Sequence, residues 1–396
     1  MTDTDTDTIT TRTASAATKP APAPPATRRV RALALLALVS SAGVAGLGLV
    51  WLFAPALNPF AADEMRSVAS ALLGATPVAV IAIAAGGAGV LLTLAVLPRG
   101  SMAAHPRLTG GGAAAIALAL GFSLGSTTAI AYTGYLFGLA SVVAGAVTIA
   151  VMLVRAPRLG IALLAGVIAL AAASVWLAGL TLDGIAGFAE KLTSTLIADL
   201  PNLLLAIVSV AATASWIALA IIALRGRPAG HRFEGWLVRH RRALTILAAL
   251  GPVPYAIARA SWLTPWPLFA PSASDLPADV LATGIMIGSG AVAAIILTLG
   301  LILPWGRVVP AWIPRIGGRP VPVLAAAVPG FTAAGVLCIS AGSMLVTVAG
   351  DPTALMDTLI MALVLPLWYW GPMLALAVWA YTAWRSRESA IDHPGR

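Results

Sequence analysis

The sequence predicts an all-α, polytopic transmembrane bundle of about ten spans, with both ends on the cytoplasmic side. Three observations carry this. The 396 residues are 59% hydrophobic and only 10% charged, with a mean hydropathy of +0.94, so water cannot be the main solvent. The apolar residues fall in long uncharged runs separated by short loops. Basic residues crowd into every second loop, which is how membrane orientation is encoded.

A helix needs ~20 apolar residues to cross the ~30 Å hydrocarbon core. That length predicts spans at 32–54, 71–97, 111–131, 134–154, 159–180, 202–224, 243–262, 280–303, 323–349 and 355–384. Residues 1–30 combine a Thr/Asp repeat with an Ala/Pro tract and have too few bulky apolar residues to offset ordering, so they read as a disordered cytoplasmic tail. The membrane domain then covers 31–384, and 385–396 form a C-terminal tail. The arginines at 28, 29 and 31 invite signal-peptide or twin-arginine readings. The run after them outlasts the ~7–15 residues of a signal h-region, so an uncleaved first span is expected.

The stretch 111–154 is apolar throughout apart from a polar-aromatic patch, Gly125 to Tyr135. Basic loops on both sides (Arg99 and Arg107, then Arg155 and Arg158) require an even number of crossings, hence two helices. Alternation of this kind puts all 24 Lys/Arg except Arg66, Lys191 and Arg259 on the cytoplasmic side, and most acidic residues between spans on the other. Between Asp183 and Leu200, Ile185, Phe188, Leu192 and Leu196 recur at helical spacing and predict a short packing helix at the outer interface. The basic loop 225–242 reads as solvated or lipid-contacting. Its His231, Glu234 and His240 lack the spacing of a metal motif and are surrounded by arginines that repel a cation.

Several function classes recede on this reading. The scatter of charge over short loops argues against nucleic acid. The single Cys338 allows neither an internal disulfide nor a cysteine metal site. Nucleotide, dinucleotide, zinc-protease and serine-hydrolase motifs are missing, and few acid–base side chains lie within the spans. No cofactor, catalytic residue or metal ligand is expected, and the bilayer itself, with anionic lipid at the inner face, is the expected partner. Small-xxx-small pairs, Gly121/Gly125, Gly134/Gly138 and Gly284/Gly288, predict close helix packing inside the molecule.

Intramembrane charge points best to function, and here that means Arg259. It follows Pro252 and Pro254, near the outer end of the seventh span, with Tyr255, Trp262 and Trp266 around it. The functional reading is a cationic, aromatic-lined ligand site formed by Tyr255, Arg259 and Trp262, with Asp357 and Trp370 from the last span. The simpler reading, which the sequence favours, is an arginine snorkelling to outer phosphates beside an aromatic belt. Asp357 caps the last span, where Pro366 and Gly371-Pro372 are expected to interrupt the helix and free carbonyls that neighbours must satisfy. The polar patch at Ser123, Ser126, Thr127, Thr128, Tyr132 and Thr133 fits an outer turn or a cavity lining equally well.

The loop 304–322 is basic and stiffened by proline. Trp305 and Trp312 suit the headgroup level, and Arg307, Arg315 and Arg319 suit anionic lipid. This loop and the stretch GPVPYAIARASWLTPWP (251–267) resemble segments of uncharacterised multi-pass membrane proteins of high-GC bacteria. The resemblance covers chiefly the second half of the chain; it implies the structural class and a bacterial plasma membrane, and no activity or functional residue carries over. The resulting expectation is a non-enzymatic membrane protein, permease-like, for a small weakly charged or lipophilic molecule. The alternatives are a structural or regulatory protein working through its basic loops, and a membrane-embedded enzyme.

Overall fold

The computed structural model describes residues 28–61, 65–96, 106–178, 181–224, 228–264, 266–270, 277–313, 317–350 and 355–392; the side chains of a few helical residues, Asp357 among them, fall outside the description. Of the expected tail at 1–30, residues 1–27 also lie outside it, and Arg28 to Val30 are not tail but the first turn of the first helix, continuous with the apolar run that follows. In chain order the helices are α1 (Arg28–Phe53), α2 (Val68–Leu73), α3 (Ala75–Val96), α4 (Pro106–Leu124), α5 (Thr127–Arg155), α6 (Pro157–Ala178), α7 (Leu182–Ala198), α8 (Leu200–Leu224), α9 (Pro228–Arg239), α10 (Arg241–Leu250), α11 (Val253–Ser261), α12 (Ala278–Leu299), α13 (Val323–Gly350), α14 (Leu355–Val364) and α15 (Leu367–Asp392).

Nine described helical stretches are long and apolar enough to cross a membrane, with α10–α11 as one stretch and α14–α15 as another. The remaining expected span is α4, whose 19 residues rise about 28 Å, just short of the hydrocarbon thickness. The chain is a multi-pass membrane protein. Side chains on α6 are exposed nearly all the way round, from Leu159 and Ile161 to Val175 and Trp176, as suits a helix that faces lipid tails as apolar as itself.

Two bundles share the molecule. In the first, α1, α3, α4 and α8 enclose a core of Val44, Trp51, Val78, Leu120 and Trp216. Small residues bring the backbones together: a Cβ built on Gly86 would stand 2.7 Å from the carbonyl oxygen of Ser41 on α1. Trp216 on α8 closes the junction, donating its indole N–H to Ser41 Oγ at 2.8 Å and covering Gly89 of α3. The second bundle centres on α13 and α15, with α10, α11, α12 and α14 beside them and α5 joining the two bundles.

Span boundaries depart from the sequence reading in four places, each with a local cause. The second span is not one helix from 71: it divides at Gly74, whose φ of 91° ends α2 after a Ser67 capping box. The turn inside 111–154 falls at Gly125–Ser126 rather than between 131 and 134. Ser126 accepts from the Ala129 amide at 3.2 Å and starts α5, and Ser340 of α13 donates to the Ser126 carbonyl at 3.2 Å. The patch therefore spans a packed turn and the first turns of α5, with Ser123 and Ser126 fully buried and each satisfied locally. The last span breaks at Pro366 alone, and Pro372 sits inside α15, held where Gly371 lies against Cys338 of α13. The C-terminal segment continues as helix to Asp392.

The fourth departure is the basic loop 225–242, most of which forms helix α9. Phe233, Trp236 and Leu237 occupy one face of it, and Leu237 is fully buried with Leu244 and Ala380. Phe233 meets Trp379 edge-on at 5.3 Å, and the Trp379 indole donates to Glu234 at 3.2 Å. His240 Nδ1 lies 2.9 Å from the Trp236 carbonyl oxygen, so Glu234 and His240 each serve packing. Leu237→Ala is expected to cost ~2–5 kcal/mol, seen as faster amide exchange confined to α9 and its contact with α15. Uniform exchange across the chain would disprove that docking.

The expected outer helix forms as α7. Thr181 caps it, Phe188 packs beside Trp262 and Leu281, Leu196 packs beside Ala129 and Tyr132, and Lys191 pairs with Asp279 at 3.3 Å. Loop 304–322 is a hairpin: the Val309 amide donates to the Arg319 carbonyl, the Val321 amide to the Arg307 carbonyl, and Gly318 turns at a φ of 79°.

Candidate ligand site at two interrupted helices

The prolines place two helix interruptions face to face. Pro252 and Pro254 cannot donate, so α10 ends at Leu250 and the Gly251 amide turns to the Ala248 carbonyl. This leaves the Leu247 carbonyl free, and Tyr369 of α15 donates its hydroxyl to it at 2.8 Å. Pro366 likewise cannot donate to the Ala362 carbonyl, and the Trp368 indole does so instead at 3.2 Å. The freed carbonyls are thus met by side chains from beside each break, as an apolar surround requires. Trp370 rests on Gly251: a Cβ there would stand 2.5 Å from Trp370 Cγ.

Beyond its break, α11 carries Tyr255, Arg259 and Trp262 along one side. The Arg259 guanidinium carbon is 4.8 Å from the Tyr255 ring centre and 4.0 Å from that of Trp262, so the cation lies between two π faces. Tyr255 and Trp262 are buried, Arg259 is half-buried, and its Nε is buried without an acceptor. Among the described residues no carboxylate pairs with it.

The glycine pair on α12 sets the depth of this group. A Cβ on Gly284 would meet Trp262 Cε3 at 2.5 Å, and one on Gly288 would stand 2.9 Å from the Cβ of Arg259. Gly288 is half-way along the 22-residue α12, about 15 Å from its outer end. Arg259 therefore sits near the middle of the span it packs against. The sequence places it near the outer end because the chain after Trp262 is not apolar helix. In the structure the described part of that chain folds back on the end of α11: the Trp262 indole donates to the Leu268 carbonyl at 2.9 Å, and the Leu268 amide donates to Ser261 Oγ at 2.8 Å.

The structure brings Tyr255, Arg259 and Trp262 together, with Val364 and Ile360 of α14 closing against Tyr255. Trp370 is at the same break but packs on Gly251, within the α13–α15 core, and its indole nitrogen is buried without an acceptor. Asp357 is in the first turn of α14, which touches α11; its side chain lies outside the described residues. Of the expected lipid-contact residues, Trp305 covers Gly300, Arg307 pairs with Glu388, Trp312 is half-buried, Arg319 is exposed, and Arg315 lies outside the described residues. A separate cavity lies in the first bundle, lined by Ala34, Leu92, Thr93, Thr109, Ala113, Trp216 and Leu219 and almost wholly apolar.

No protein-family model, curated protein or solved structure matches this chain.

Proposed function

We propose that the protein is a permease-like transporter for a small, weakly charged or lipophilic molecule, and that Arg259 meets the ligand's anionic group. One observation carries this reading: a cation at mid-span, between two aromatic faces, with a buried nitrogen that has no acceptor among the described residues. A charge at that depth costs ~2.5–3.5 kcal/mol on insertion scales, and no ion pair among the described residues offsets it. The paired interruptions beside it give α11 a natural hinge, since the helix ladder is broken there and held by side chains. Interrupted helices at mid-membrane are a recurring way to build transport sites.

The test is uptake by proteoliposomes, using a panel of labelled monocarboxylates and lipophilic organic anions. Arg259→Ala is expected to abolish flux while membrane insertion and detergent elution stay unchanged, and Arg259→Lys to retain part of it. Flux equal to wild type in Arg259→Ala would end the proposal. A structural or regulatory role has its own support in the ordered inner face formed by α9, the 304–322 hairpin and the end of α15. It predicts partner capture that is lost on neutralising Arg315 and Arg319, with no measurable flux.

A further inference from the structure

We propose that the inner end of the second bundle is a binding site for a phosphate-bearing anion, built from Arg241 and Arg307 over the Trp384 ring and Arg385 beside Tyr381. The three arginines come from three separate segments: the start of α10, the 304–322 hairpin and the end of α15. The Arg241 guanidinium carbon is 3.6 Å from the Trp384 ring centre, and that of Arg307 is 5.1 Å from the same ring. One turn back, Arg385 donates to Tyr381 Oη at 3.0 Å and to the Val321 carbonyl at 3.1 Å, while Tyr381 donates to the Gly306 carbonyl at 3.0 Å. These bonds hold the hairpin against α15 and fix the distance between its arginine and the other two.

The charges do not balance. Glu388 accepts from Arg307 and lies 3.8 Å from Arg385, and it is the carboxylate that the described residues bring to the cluster. Glu234, on the neighbouring α9, already accepts from Trp379. Arg241 has no ion-pair partner among the described residues, and its Nη1 is buried without an acceptor. Among the described residues three guanidinia meet one carboxylate, two of them over the Trp384 indole and the third over the Tyr381 ring. This leaves a local excess of positive charge and an unmet buried donor on Arg241. A carboxylate and a phosphate each match one guanidinium fork, but a tetrahedral oxyanion carries more acceptors, pointing in different directions, and so can meet several guanidinia at once.

Position narrows the chemistry to a phosphoryl group. Trp305, Trp379 and Trp384 stand at the same end of the molecule, which carries the basic segments assigned to the cytoplasmic side, and aromatic side chains at a span end suit the headgroup level. The ligand is therefore the phosphodiester of an anionic lipid or a soluble phosphate drawn to the same donors. The site differs from general attraction of basic loops to the surface. Arg319, on the same hairpin, is exposed, whereas Arg241 and Arg385 are partly covered and held by specific contacts.

The full chain, purified in a neutral detergent, tests this by thermal unfolding with added phosphatidylglycerol, phosphatidylcholine or inorganic phosphate, each against sodium chloride of equal ionic strength. Stabilisation by phosphatidylglycerol and not by phosphate assigns the site to lipid; stabilisation by phosphate assigns it to a soluble anion. Arg241→Gln is expected to weaken the effective ligand about tenfold, through loss of a charge-assisted bond, while Arg319→Gln leaves it unchanged. Should Arg241→Gln fail to fold, Arg307→Gln, whose side chain is half exposed, reads the same loss. Equal stabilisation by phosphatidylcholine and phosphatidylglycerol, no stabilisation by either phosphate source, or equal effects of Arg241→Gln and Arg319→Gln would overturn the proposal.

Discussion

Trp216→Ala is expected to be the most damaging truncation in the first bundle, lowering stability in detergent by ~3–5 kcal/mol. Trp216 is 2% exposed and is among the largest fully buried side chains of the protein. Its ring touches the space above Gly89 and its nitrogen donates to Ser41, so one side chain from α8 joins α1 and α3. Lipid cannot fill the space left behind, because the walls are three helices already in contact. Trp216→Phe separates the two contributions: it keeps most of the volume and loses only the donor, an interaction that averages ~0.6 kcal/mol between membrane helices. Thermal unfolding of purified protein should rank wild type, Phe and Ala in that order, with the larger step between Phe and Ala. A larger step at Phe would mean that the hydrogen bond, not the packing, holds the junction.

Gly251→Leu is expected to cost ~1–3 kcal/mol or more by overpacking, and, on the proposed function, to lower flux as well. The first added carbon alone would lie 2.5 to 2.7 Å from three atoms of Trp370. That ring cannot retreat easily, because Gly371 beside it lies within 2.8 Å of the Cys338 backbone in the same sense. The α10–α11 pair must move instead, taking Arg259 away from Gly288 and α12. The same replacement at Gly46, where a Cβ meets nothing within 4 Å, should be near neutral and serves as the control. Adding Trp370→Ala should recover part of the loss, a coupling that contacting residues show and distant ones do not. Additive behaviour of Gly251→Leu and Trp370→Ala would show that the two positions do not meet.

Much of the site was legible before the structure. The conjunction of a charge with prolines and aromatics singled out Tyr255, Arg259 and Trp262, and two prolines near each of two spans announced the interruptions. The Gly284/Gly288 pair announced a close approach, but the identity of the intruder is a tertiary fact: Trp262 and Arg259 fill those gaps, and through them the depth of the cation is set. Pro366 and Pro372 look equivalent in a one-dimensional reading, yet only the first interrupts the helix, because α13 clamps α15 at Gly371. The helix at 228–239 is signalled only by the spacing of Phe233, Trp236 and Leu237, which competes with arginines that mark the same segment as a solvated loop. The charged cluster at the inner end could not be read at all, since Arg241, Arg307 and Arg385 lie on three segments far apart in the chain.

Composition and the rhythm of charge were enough to establish an α-helical membrane protein with arginines at alternate turns, because a bilayer leaves backbone polar groups few solutions and charged side chains few positions. Those are constraints on single segments, and each segment carries its own answer. Which helices touch, how deep Arg259 lies and which donors stay unmet are properties of pairs and triples of segments. They depend on where a glycine on one helix faces a large side chain on another, and that meeting was decided only when the bundles packed.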